Sequence, residues 1–183
     1  NSICSSILSA PRLFSHNAQN IKNINIKPFF YSLEEWAFQI QTFFQSFILV
    51  FIVLLFLKKA LIVNLIIAAW VPFINLMIFI YWFPLIICLL GVRYTDFSQL
   101  VPIVMQLVFL TSPILYRKEN LGGLEWITNY NLIYKILDPL RVSIIDGLVD
   151  YRLLFLTFFI NIAGLYISLS LLNRESKNLP FLL

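Results

Sequence analysis

Charge is scarce in this sequence, and the scarcity is uneven. Asp, Glu, Lys and Arg make up 12% of the 183 residues, and four stretches contain none of them: 36–57, 60–92, 97–116 and 153–173. Cysteine is rarer still. The two present, Cys4 and Cys88, have neither the spacing nor the setting of a disulfide framework or a thiolate metal centre, and read as small buried hydrophobes. The single histidine, His16, stands in a mixed polar segment and reads as solvated. Five glycines build no phosphate loop, and no His-Glu-x-x-His helix or Gly-x-Ser-x-Gly elbow occurs, so the usual apparatus of soluble catalysis is missing. The net charge of +4 is spread thinly, with no basic cluster denser than the Lys58, Lys59 pair; that pattern fits lipid headgroups better than nucleic acid.

What the sequence has instead is hydrocarbon. Hydrophobic residues make up 60% of the chain and its mean hydropathy is +0.86. As a helix, roughly 18 apolar residues cross a bilayer core, and a charge at the centre of one costs on the order of 3 kcal/mol. A soluble core would have too little polar surface to wrap these runs. The expectation is an all-α, polytopic helical membrane protein with about four transmembrane helices and a short re-entrant or interfacial segment.

Residues 1–39 form the mixed leading part, with Arg12, His16, Lys22 and Lys27 among Asn and Ser. The chain starts on Asn, and residues 1–32 have no signal-peptide pattern, as expected of a truncated sequence. Ser32 and Glu35 have capping-box spacing, which predicts a helix starting near Leu33, with Glu34 and Glu35 in its first turn. Spans follow at about 40–57, 61–90, 97–116 and 153–173, all in a single membrane domain over 1–183. The run 60–92 is too long for one perpendicular crossing, so it must tilt, kink or break, with Pro72 and Pro84 the expected places. Asn64 and Asn75 should face protein. The third span carries Ser98, Gln99, Gln106, Thr111 and Ser112, a polar face suited to a helix interface or a water-filled path. Residues 117–152 alternate charge with short apolar stretches, and Trp126, Tyr130 and Tyr134 recur every fourth residue. Counting basic residues leaves orientation tied, with Arg12, Lys22, Lys27, Arg93, Arg174 and Lys177 against seven on the other side. No ionisable group lies in the spans, so if the chain moves a solute, the energy should come from a partner.

Leu90-Gly91-Val92-Arg93-Tyr94-Thr95-Asp96, followed by an apolar span closing on Thr111-Ser112-Pro113-Ile114-Leu115-Tyr116, resembles the type 2 ATP-binding-cassette permeases, above all the membrane subunits that export O-antigen, capsule or other polysaccharides. Asn17 to Lys22 is similar to the cytoplasmic segment after the family's second span, and Asn131 to Tyr134 with Arg141 and Gly147 to the region before its last. The likeness covers about Ser5 to Arg174, with Thr95 in place of a usual arginine, Leu132 in place of a proline and Lys27 near another usual proline. The family's first two spans and leading amphipathic helix have no counterpart, which again implies truncation.

The resemblance implies a transport subunit rather than an enzyme, in a bacterial inner membrane, working as a homodimer with separate ATP-binding subunits that hold ATP and Mg²⁺. It puts the termini and the Arg93 hinge in the cytoplasm and 117–152 in a re-entrant or periplasmic region. Asn17, Ile21, Lys22, Arg93, Tyr94 and Asp96 would couple to the ATPase. Phe109, Tyr116, Trp126, Tyr130 and Tyr134 would line the path of a lipid-linked polysaccharide, and Pro113, Asn131, Arg141 and Gly147 would be structural. A drug or lipid exporter of the same class, a membrane-embedded lipid-modifying enzyme and a non-transporting scaffold subunit stay open as alternatives.

Overall fold

Proline at a helix's first position loses no hydrogen bond, because that N–H would be unpaired anyway, and its ring presets the helical φ. Pro28 takes this role. The structure, a computed structural model, describes residues 2–23, 26–57, 59–94, 96–111 and 131–183. In it a helix runs unbroken over Pro28–Leu57. The start expected near Leu33 is therefore corrected: Ser32 lies inside the helix, its hydroxyl donating to the Phe29 carbonyl at 2.7 Å rather than capping an amide. Glu35 also does other work. Its Oε1 accepts from Ser9 at 3.0 Å and from Gln39 at 2.8 Å, fastening the leading segment to this helix.

The chain order of helices is α1 Ser2–Ser9, a 3-10 turn Ala10–Arg12, α2 Leu13–His16, α3 Ala18–Asn23, α4 Pro28–Leu57, α5 Lys59–Ile67, α6 Trp70–Arg93, α7 Phe97–Thr111, α8 Leu132–Ile145, α9 Tyr151–Glu175 and α10 Leu179–Leu182. No strand occurs among the described residues. α4, α6 and α9 are long and apolar enough to cross a membrane, and α7 is a shorter apolar helix. The chain is an all-α polytopic membrane protein. With 30 residues, α4 is about 45 Å long, well beyond a bilayer core of about 30 Å.

The long apolar run breaks, though upstream of both candidate prolines. α5 ends at Ile67 and α6 begins at Trp70, with a bend between them. A proline ring collides with the carbonyl four residues earlier, which for Pro72 belongs to Ala68. Starting a new helix at Trp70 puts Pro72 in a first turn, where that collision disappears. Pro84 sits within α6 and does not end it.

The described chain divides into two compact units, and the boundaries between them fall inside α4, α6, α7 and α9. The first holds Asn1–Ser46, Met77–Ile103 and Asn161–Leu183. Here α4 and α6 run antiparallel: the Trp36 indole donates to the Met77 carbonyl at 3.2 Å, and Ser32 lies 3.4 Å from the Tyr81 hydroxyl. α1 lies antiparallel on α4, through Ser5 to Gln39 and Ser9 to Glu35. Trp82 donates from its buried indole to Asn161 Oδ1 at 2.7 Å, tying α6 to α9.

The second unit holds Phe47–Leu76 and Val104–Ile160. Asn75, as expected, faces protein, donating to the Thr157 hydroxyl at 2.7 Å while Thr157 donates back to the Leu153 carbonyl at 2.9 Å. Asn64 bonds the Ile144 carbonyl at 3.3 Å, joining α5 to α8. Among the described residues, no fully buried side-chain nitrogen or oxygen is left without a hydrogen-bond partner.

Interhelical side-chain bonds in bilayers average about 0.6 kcal/mol and reach about 1.7 kcal/mol. A double-mutant cycle on Asn75→Leu and Thr157→Val, followed by unfolding in detergent, should give a coupling energy in that range. Zero coupling would show that the two side chains do not meet.

Candidate functional site

The six residues expected to couple to an ATPase all fall in the first unit. Arg93 closes α6, and the turn beyond it is tight. The Tyr94 N–H bonds the Leu90 carbonyl at 2.9 Å, and the Phe97 N–H bonds the Tyr94 carbonyl at 3.1 Å. The N–H groups of Gln99 and Leu100 then use the Asp96 carbonyl to start α7. With its backbone committed in this way, the turn presents its side chains outward: Arg93, Tyr94 and Asp96 are all exposed, Tyr94 by 56%.

Asn17 stands between α2 and α3. Its side-chain amide donates to the Leu13 carbonyl at 3.0 Å, and its own carbonyl accepts from the Ile21 N–H at 2.9 Å. One residue thus closes one helical turn and opens the next. Ile21 is buried, on a helix that packs against α10, and Lys22 beside it is exposed.

A contact that sequence reasoning missed seats the leading segment at the hinge. A Cβ built on Gly91 would lie 2.7 Å from both the Cα and the carbonyl oxygen of Pro11, closer than real Cβ atoms come to backbone. Only glycine lets the 3-10 turn lie this close to the last turns of α6. One turn earlier, the Cys88 thiol bonds the Phe14 backbone, and both residues are fully buried. The signal was present in the spacing of Ile3, Ile7, Ala10, Phe14 and Ile21, all buried in the structure and three, four or seven residues apart. Pro11 and Asn17 interrupt the helix along that stripe, which hides it from a scan for one long amphipathic helix.

Among the residues expected along a substrate path, Tyr116, Trp126, Tyr130 and the Phe109 side chain lie outside the described residues, as does Pro113. Tyr134 is buried, and its hydroxyl donates to Asp138 at 2.8 Å, one turn along α8. Asn131 is the N-cap of α8: its Oδ1 accepts from the Tyr134 N–H at 3.1 Å while its amide donates to the Val108 carbonyl at 3.3 Å. Gly147 takes a φ of +68°, a left-handed turn that any larger side chain resists, just beyond the end of α8. Arg141 is exposed on that helix.

Two concave features lie in the first unit. A cleft of about 20 Å³, room for a single water, lies among Ser6, Ser32, Glu35, Gln39 and Tyr81. A larger cavity of about 860 Å³ opens where α3, the start of α4 and the end of α9 converge. No group of three or more His, Cys, Asp or Glu residues able to hold a metal occurs among the described residues. No family model matches the sequence, and no curated protein matches it.

Replacing Gly91 with leucine should lift the leading segment off α6 and uncover Cys88. In a Cys4→Ser background, where Cys88 is the one remaining thiol, maleimide labelling should speed up roughly tenfold over the same protein with Gly91 intact. An unchanged rate would mean that the Pro11 contact does not hold the segment in place.

Proposed function

We propose that this chain is the membrane subunit of an ATP-driven exporter of the type 2 ATP-binding-cassette class, moving a polysaccharide or glycolipid across a bacterial inner membrane. The observation that carries the reading is the exposed Arg93, Tyr94 and Asp96 turn, with the leading segment seated beside it on Gly91. A separate subunit that binds ATP and Mg²⁺ docks on this turn and on Lys22. The apolar runs 36–57, 60–92, 97–116 and 153–173 hold no Asp, Glu, Lys, Arg or His to carry protons, which favours a partner as the source of energy.

Coupling then follows from stiffness. A rigid-body push on α1 to α3 meets backbone in contact with backbone at Pro11 and Gly91, so it is passed to α6 rather than absorbed by side chains. Since Trp82 and Asn161 tie α6 to α9, the two helices tilt together.

A second copy of the chain supplies the other wall of the path. Gln41, Gln45, Gln99 and Gln106 are exposed on α4 and α7, where lipid tails would give their amides no partner. A facing helix of the partner copy satisfies them.

The test is co-purification with the product of a neighbouring gene that carries a Gly-x-x-x-x-Gly-Lys-Ser/Thr loop. Arg93→Ala and Asp96→Ala should each weaken the association roughly tenfold, as truncation of an interface anchor does. Binding that stays at the unsubstituted level would overturn the coupling assignment.

A further inference from the structure

Lys27 and Lys177 line the same cavity of about 860 Å³, although 150 positions separate them in the chain. Lys27 immediately precedes α4, and Lys177 follows the end of α9 by two residues. Both lysines therefore stand at the end of a membrane-spanning helix, where headgroups lie. Asn173 and Ser176 add an amide and a hydroxyl to the polar wall, and the exposed Ile26 and Phe29, with Leu169, supply an apolar one. Glu34, Glu35 and Glu175, the carboxylates on the helices that converge here, do not line it.

Two exposed lysines border one cavity with no carboxylate in its lining, a cationic setting that an anion complements. The apolar wall and the helix-end position select the kind of anion. Free phosphate would leave the Ile26, Phe29 and Leu169 surface wetted, whereas a lipid phosphate brings acyl chains to cover it. From this geometry we infer that the cavity is a binding site for an anionic glycerophospholipid, its phosphate between Lys27 and Lys177 and its acyl chain on the apolar wall. The inference rests on the membrane-spanning fold and is independent of any ATPase. Of the proposed coupling residues only Ile21 lines the cavity, and Lys22, Arg93, Tyr94 and Asp96 do not.

Native mass spectrometry tests this on the full chain released from vesicles of equal parts phosphatidylglycerol and phosphatidylcholine. The unsubstituted protein should retain phosphatidylglycerol over phosphatidylcholine by roughly tenfold, and Lys27→Gln with Lys177→Gln should bring the ratio near one. Lys135→Gln with Arg152→Gln removes the same amount of charge elsewhere and should leave the preference intact. Millimolar inorganic phosphate should not displace the lipid. The inference is overturned if the Lys27, Lys177 variant keeps the preference, if the control pair loses it equally, or if free phosphate displaces the lipid. It is also overturned if that variant keeps its lipid but loses a nucleotide-hydrolysing partner, because the cavity would then be a protein dock. Failure of the Arg93 and Asp96 tests would leave the lipid ratio untouched, so the two readings fail separately.

Discussion

An N–H or hydroxyl carried into hydrocarbon has no water to fall back on, so its partner must come from another helix or from its own backbone. The packing of this chain follows from that requirement. Asn75 meets Thr157 and Trp82 meets Asn161, both pairs at 2.7 Å, and each joins α6 to α9. Lipid tails are as apolar as leucine, so apolar side chains alone give two helices little reason to choose each other in a membrane. The polar pairs supply the choice. Thr157 suits its position because its hydroxyl donates to the Leu153 carbonyl while accepting from Asn75.

Asn75 and Thr157 make this join within the second unit, and Trp82 and Asn161 make it within the first. In the first unit, α4 is antiparallel to α6. The tight turn between α6 and α7 thus belongs to the same unit as the chain's leading and trailing segments. Arg12, Lys22, Lys27, Arg93, Arg174 and Lys177, the six basic residues that charge counting assigned to one side, are all in that unit.

Much of the fold was legible because hydrocarbon tolerates so few alternatives. The charge-free run 153–173 corresponds to Tyr151–Glu175 with two residues added at each end. The turn at Arg93 was legible from its charge, and Asn75 from the cost of leaving an amide in lipid. Helix starts were harder to read. Ser32 and Glu35 have the spacing of a cap, yet Pro28 begins the helix earlier and frees Glu35 to bind Ser9 and Gln39. Pro72 marked a break correctly in kind but not in place, because a proline disturbs the turn before it and the chain bends at 68–69. In the candidate site, the exposed hinge residues could be named from the sequence. The Pro11 and Gly91 contact could not, since nothing local tells which glycine will have another backbone against it.

The sequence by itself determined that this protein lives in a membrane, that it is helical, and roughly where its apolar segments begin and end, because those properties depend on local composition and the thickness of a bilayer. Tertiary structure alone decided that Trp82 would meet Asn161, that Pro11 would rest on Gly91, and that Lys27 and Lys177 would share a cavity. Each of these joins residues 79 to 150 positions apart, and the helical period that places a side chain on a face does not say which other helix that face will meet.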